Sequence, residues 1–135
     1  AKQLNIVEAF AKKAIAEGEK ILVAGSSWPK DEDVIMPYFN MTTDLKMIIA
    51  PHEINEAHLK YIESNLQRPY IRYSNAIPEM MADYDCLIIY CMGLRLPFMV
   101  FLLYSALTSR NSVKHRDFVS REVVTLSLIT SHSGA

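Results

Sequence analysis

Apolar positions along this chain follow two rhythms. Leu4, Val7, Phe10, Ala11 and Ala14 recur at helical spacing and Gly18 follows, so residues 3–17 read as an amphipathic helix with a glycine C-cap. "ILVAG", residues 21–25, is apolar at every position rather than alternating, the mark of a strand covered on both faces, as in parallel sheets. In the "SSWPKDED" that follows, Ser26 or Ser27 is a candidate N-cap, Pro29 suits a first turn, and Asp31, Glu32 and Asp33 oppose the positive end of a helix dipole. A helix over Pro29–Phe39 is therefore predicted. "LKMIIAP", Leu45–Pro51, repeats the strand and precedes a helix with Leu59, Ile62 and Leu66 on one stripe. "PYIRYS", Pro69–Ser74, is a weaker strand, and "DCLIIYC", Asp85–Cys91, is a strong one followed at once by Met92 and Gly93. Strand and helix alternate at roughly 25 residues or fewer, which predicts right-handed β-α-β crossovers and an α/β fold: a Rossmann-like parallel sheet flanked by helices.

Ligands in such sheets sit beyond the C-terminal strand ends. Four segments qualify: Gly25-Ser26-Ser27-Trp28, Pro51-His52-Glu53, Tyr73-Ser74 and Cys91-Met92-Gly93. Beyond Leu94 the alternation stops. The apolar run Leu94–Leu107 contains Arg95 and Pro97 and is too short to cross a bilayer. The Ser/Thr-rich remainder offers one candidate strand, Val123–Ile129, with no evident place in the same sheet. Residues 1–94 thus form the Rossmann-like domain and 95–135 stay unassigned.

Composition narrows the function classes. The chain has 135 residues, 50% of them apolar, and a formal charge of −1, which fits one globular domain and removes the electrostatic argument for nucleic acid. Cys86 and Cys91 are too far apart along a strand to bridge, so buried thiols are expected. The first eighteen residues are amphipathic and charged, unlike a secretory signal, which suggests a soluble domain in a reducing compartment.

The candidate chemistry is modest. Gly25, Ser26 and Ser27 could offer backbone N–H groups and hydroxyls to an anion, although they lack the glycine and lysine spacing of a P-loop or dinucleotide fingerprint, and on local pattern alone plain helix capping is the better explanation. The three acids behind them would repel an anion over the first turn, so a ligand would have to rely on the loop itself. Trp28 either wedges the loop against the core or lines a pocket. His52 and His58 stand six apart around Glu53 and share no helix face, which argues against zinc; His52 reads as a polar contact at a pocket rim or as an exposed loop histidine. Ser26 and Ser27 have no histidine partner legible in the sequence, and no metal or cofactor is implied.

Taken together, "ILVAGSSWPKDEDVIMPYF", "LKMIIAPHE", "IRYSNA" and "DCLIIYCMGL" resemble 3-deoxy-D-manno-octulosonic acid (Kdo) transferases, with the likeness spanning residues 4–94. That family reads V-A-G-S-T-W-P-x-D-E, then A-P-H-E or A-P-R-H, then L-x-D-x-M/F-G. The resemblance implies a glycosyltransferase of two Rossmann-like domains that transfers Kdo from CMP-Kdo to a lipid A precursor in lipopolysaccharide biosynthesis, without a metal, at the cytoplasmic face of the inner membrane. This chain would be part of the C-terminal, donor-binding half. The acceptor site, the catalytic carboxylate and the membrane contact would lie in the other half, leaving no catalytic residue here and a chain inactive alone. Carried across, Gly25, Ser26 and Ser27 become the donor-side loop, with Trp28 beside it; Pro51 and His52 stand where relatives have Pro-Arg at the nucleotide; and Met92 and Gly93 contact the cytidine.

Three departures stand out. His52 replaces an arginine, losing a permanent charge and a bidentate fork. Tyr90 stands where the family has aspartate. The glycine-rich and His-Asn…Glu motifs expected after Met-Gly are missing. A shifted reading frame accounts for the third: Arg95–Val100 can be encoded by CGT CTT CCA TTT ATG GTT, which from its third base reads Ser-Ser-Ile-Tyr-Gly, close to the family's continuation. A stand-alone Rossmann-like domain that binds a nucleotide or a protein, and a truncated frame without native function, are the competing readings.

Overall fold

The computed structural model describes residues 2–89 and 123–126. Among them the chain runs through α1 (Lys2–Ala16), β1 (Lys20–Ser27), α2 (Pro29–Met41), β2 (Leu45–Pro51), α3 (Glu56–Asn65), β3 (Tyr70–Arg72), two 3-10 segments (Tyr73–Asn75 and Pro78–Asp83), β4 (Cys86–Ile88) and β5 (Val123–Leu126). The five strands form one sheet in the order β3-β4-β2-β1-β5, and every neighbouring pair is parallel. This is an α/β, Rossmann-like fold. No described helix is long and apolar enough to cross a membrane.

The unbroken apolar character of the strands follows from burial on both faces. Side chains alternate across a strand. Ile21 and Val23 of β1, Ile48 of β2 and Leu87 of β4 pack with Phe10, Ala14 and Met81 beneath α1 and the second 3-10 segment. Their neighbours Leu22, Ala24, Met47, Ile49, Cys86 and Ile88 pack with Ile35, Phe39, Leu59 and Ile62 beneath α2 and α3. Helices thus cover both faces.

Helix α1 stops as its sequence predicts. Gly18 has φ 76°, its N–H donates to Ile15 O at 3.0 Å, and the Glu19 N–H donates to Ala14 O at 2.9 Å. This paired 5→2 and 6→1 closure is a Schellman motif, and its left-handed residue favours glycine.

The observed boundaries correct several expectations. Ser26 and Ser27 continue β1 rather than forming a loop, and β3 is shorter than expected because Tyr73 turns into 3-10 helix. Connecting β3 to β4 is the 3-10 segment Pro78–Asp83, whose Met81 is buried against α1, a contact that short irregular spacing did not announce. Val123–Leu126 pairs in parallel with β1 and joins the main sheet, a place that no feature of the tail's sequence predicts. The local signal is short: three apolar residues, Val123, Val124 and Leu126, around Thr125.

The N-terminal end of the sheet is closed by a polar cluster. Lys46 of β2, 4% exposed, donates to Asp85 Oδ1 at 2.8 Å and to the Tyr84 carbonyl at 3.0 Å, and its ammonium lies 3.6 Å from Glu19. Arg68 reaches Asp85 Oδ2 at 3.2 Å, caps the end of α2 through the Phe39 and Thr42 carbonyls, and lies over the Phe39 ring at 4.3 Å. With Lys46, Arg68 and Asp85 each hydrogen-bonded, the cluster meets the condition for burying charge.

Candidate ligand site at the strand ends

The site begins with an irregularity in pairing. Gly25 lies opposite Ala50, but Ser27, not Ser26, lies opposite Pro51. Regular alternation would put Ser27 on the α1 face with Ile21 and Val23. The extra residue shifts the pleat by one and turns Ser27 to the α2 and α3 face, a use of bulges common beside functional sites. There the buried Ser27 hydroxyl donates to Glu32 Oε2 at 2.7 Å.

The same pairing joins the ends of β1 and β2. The His52 N–H donates to the Ser27 carbonyl at 2.8 Å, and the Trp28 and His52 rings stack with centroids 4.0 Å apart and planes inclined by 26°. His52 is exposed and Trp28 half-buried. The Trp28 indole N–H is shielded from solvent yet has no acceptor among the described residues. Strand order reverses about β1, with β2, β4 and β3 on one side and β5 on the other, so this stack stands beside the switch point where doubly wound sheets bind ligands.

Trp28, rather than either serine, is the N-cap of α2. An indole cannot accept a hydrogen bond, so the first turn is closed from inside: Pro29 needs no acceptor for its missing N–H, and Asp31 Oδ2 accepts from the Trp28 N–H at 3.1 Å. Of the three acids expected to face the helix dipole, Asp31 does so. Asp33 accepts instead from the Tyr61 hydroxyl. Glu32 is fully buried and holds a second partner, His58 Nε2, at 2.7 Å from Oε1.

His58 sits one turn into α3, whose N-cap Asn55 accepts from the His58 N–H at 2.8 Å. Its Nδ1 lies 2.7 Å from the Glu53 carbonyl. Burial alone would lower the imidazole pKa, but the hydrogen bonds to Glu32 and the Glu53 carbonyl, with the charges of both glutamates, outweigh it and the net shift is upward. Ser27 thus donates to a carboxylate and not to an imidazole, so Ser27, Glu32 and His58 do not form a nucleophile with its base.

The predicted residues are partly assembled. Gly25, Ser27 and Pro51 are buried at the joint, Ser26 occupies the irregular position in β1, and Trp28 meets His52. Tyr90, Cys91, Met92 and Gly93 lie outside the described residues. Tyr73 and Ser74 lie past β3; Ser74 lines a groove of about 650 Å³ with Arg72, whose guanidinium donates four hydrogen bonds to Glu56 and Glu63. Glu32 and His58 were not foreseen as a pair. The available signal was topological: two helices on one sheet face, each following a strand, bring their first turns to the same edge, and here one carries an acid and the other a histidine. Among the described residues no group of His, Cys, Asp and Glu side chains is placed to hold a metal ion.

No family model, curated protein or solved structure matches this chain.

Proposed function

We propose that the strand-end site binds a sugar nucleotide, and that the chain is the donor-binding part of a glycosyltransferase moving Kdo from CMP-Kdo to a lipid A precursor at the inner membrane. The observation that carries this reading is the Trp28–His52 stack at the switch point, built from two of the four segments on which the resemblance to Kdo transferases rests. An aromatic pair at the strand ends offers a flat face on which a base or sugar ring can stack. His52 supplies a second polar group at the rim, without the bidentate fork an arginine would bring.

Calorimetry with CMP and CMP-Kdo tests the reading. Because His52 is exposed, His52→Ala should leave the fold intact while weakening CMP about tenfold, equivalent to about 1.4 kcal/mol. Absence of binding at millimolar CMP by a cooperatively folding chain would overturn it. The coding DNA across Leu94–Val100 tests the shifted frame independently: codons unable to spell the family's continuation exclude it.

The competing reading, a Rossmann-like domain that binds a protein, has one observation in its favour. Val34, Tyr38 and Met41 form an exposed apolar stripe on α2, at 72%, 59% and 81% exposure.

A further inference from the structure

His58 leaves little freedom in where its protons lie. The Glu53 carbonyl can only accept, so Nδ1 carries a hydrogen. At 2.7 Å from a carboxylate oxygen, Nε2 also requires a proton between the two atoms, since without one two lone pairs would face each other in a buried site. The other oxygen of Glu32 is committed to Ser27. Among the described residues, the groups facing His58 are Glu32 from α2, Glu53 and Asn55 from the β2–α3 connection, and the Tyr61 ring at 6.4 Å from α3 itself, with Asp33 behind Tyr61. None of these offers a second cation to neutralise Glu32.

Each segment held by this network carries part of the stack. Ser27 precedes Trp28, Glu32 lies in the turn that Trp28 caps, and the Glu53 carbonyl follows His52. We infer that Glu32 and His58 are positioning residues: one proton held between them keeps Trp28 stacked on His52, and its departure loosens the strand-end site. When that proton leaves, Glu32 becomes a buried charge without a cationic partner and His58 Nε2 a bare acceptor, so the cheapest relief is separation of the two first turns. The proton is bound while the site is assembled and released to water when it opens. The inference does not depend on which ligand the site takes.

The single tryptophan makes the test direct. Exchange protection of the Trp28 indole N–H, measured by NMR from about pH 5.5 to about pH 9, should fall about tenfold or more as the His58 ring loses its proton, followed in parallel by its ring-nitrogen shifts. Glu32→Gln is the discriminating variant. An amide can donate to neutral His58 Nε2 and still accept from Ser27, so protection should become flat over that range and the ring pKa should drop below the wild-type value. His58→Ala should show low protection at every pH; should it fail to fold, Glu32→Gln decides alone. Wild-type protection that stays constant while His58 titrates, or the same fall in Glu32→Gln, would overturn the inference. No nucleotide enters these measurements, so a failure here and a failure of CMP binding are distinguishable.

Discussion

Removing Asp85 tests how the far end of the sheet is held. Asp85 accepts from Lys46 at 2.8 Å and from Arg68 at 3.2 Å. In Asp85→Ala, Arg68 keeps its bonds to the Phe39 and Thr42 carbonyls and its contact with the Phe39 ring, and loses little. Lys46 is different: its side chain is 5% exposed, and what remains is one carbonyl and a glutamate at 3.6 Å. Breaking a buried pair by deleting one partner costs about 3–5 kcal/mol. Asp85 is 25% exposed, so water can enter beside Lys46 and the loss falls to the bottom of that range or just below it, about 2–3 kcal/mol. For a chain of this length that is a fall in Tm of roughly 6–12 °C. Urea denaturation followed by circular dichroism measures it. The cause is the stranded ammonium, so adding Lys46→Met, which keeps the apolar stem and removes the charge, should return stability to within about 1 kcal/mol of wild type. A loss below about 0.5 kcal/mol in Asp85→Ala, or a double variant as unstable as the sum of the singles, would refute this account.

Three further outcomes are expected. Gly18→Ala should cost about 1 kcal/mol in urea denaturation because φ 76° strains any L side chain; nothing lies within 4 Å of the added methyl, so the loss is backbone strain alone. His58 holds its proton more tightly folded than unfolded, so its stabilisation is complete below about pH 6.5 and is lost as pH rises through the folded value; denaturation curves across neutral pH should show that decline, and His58→Asn should remove it. Cys86 is buried and its thiol is pushed well above the ordinary range by desolvation, so a mutant lacking Cys91 should react with a thiol reagent only at the rate of unfolding, and rapid labelling in native buffer would contradict that.

Much of the fold is legible because periodic burial leaves a periodic trace. The run at Ile21–Gly25 and its echoes at Leu45–Pro51 and Cys86–Ile88 read as parallel strands because both faces of each are covered, so no alternation remains to be confused with an exposed sheet. The site was only half legible. Trp28 and His52 could be named because they follow strands, and parallel pairing of adjacent strands brings such positions together. Ser27 was misread because a one-residue pairing irregularity has no composition signature, yet it decides which face the hydroxyl joins. Glu32 was misread for a related reason: an acid in a first turn satisfies the dipole rule wherever it points, and only the packing of α2 against α3 shows that this one points inward to His58.

The two polar clusters stand at opposite ends of the same strands, and this arrangement permits a sharper test of the proton-held latch. Lys46 and Pro51 are five residues apart on β2, about 16 Å. Between them the sheet carries only apolar side chains on β2 and β4, which transmit packing but not charge. The Lys46–Asp85 pair joins β2 to the residue before β4, at the base of the sheet, whereas Ser27, Glu32 and His58 join a strand end to two helix starts. Loss of the second network can therefore open the site with the sheet intact, while loss of the first weakens the sheet as a whole. Combined with Asp85→Ala, Glu32→Gln should be additive in unfolding free energy to within about 0.5 kcal/mol. Protection of the Trp28 indole N–H should follow Glu32 and remain unaltered by Asp85 wherever the chain is folded. Coupling beyond about 1 kcal/mol would mean that the strand-end site opens only with the sheet beneath it, and that its proton dependence is a property of global stability.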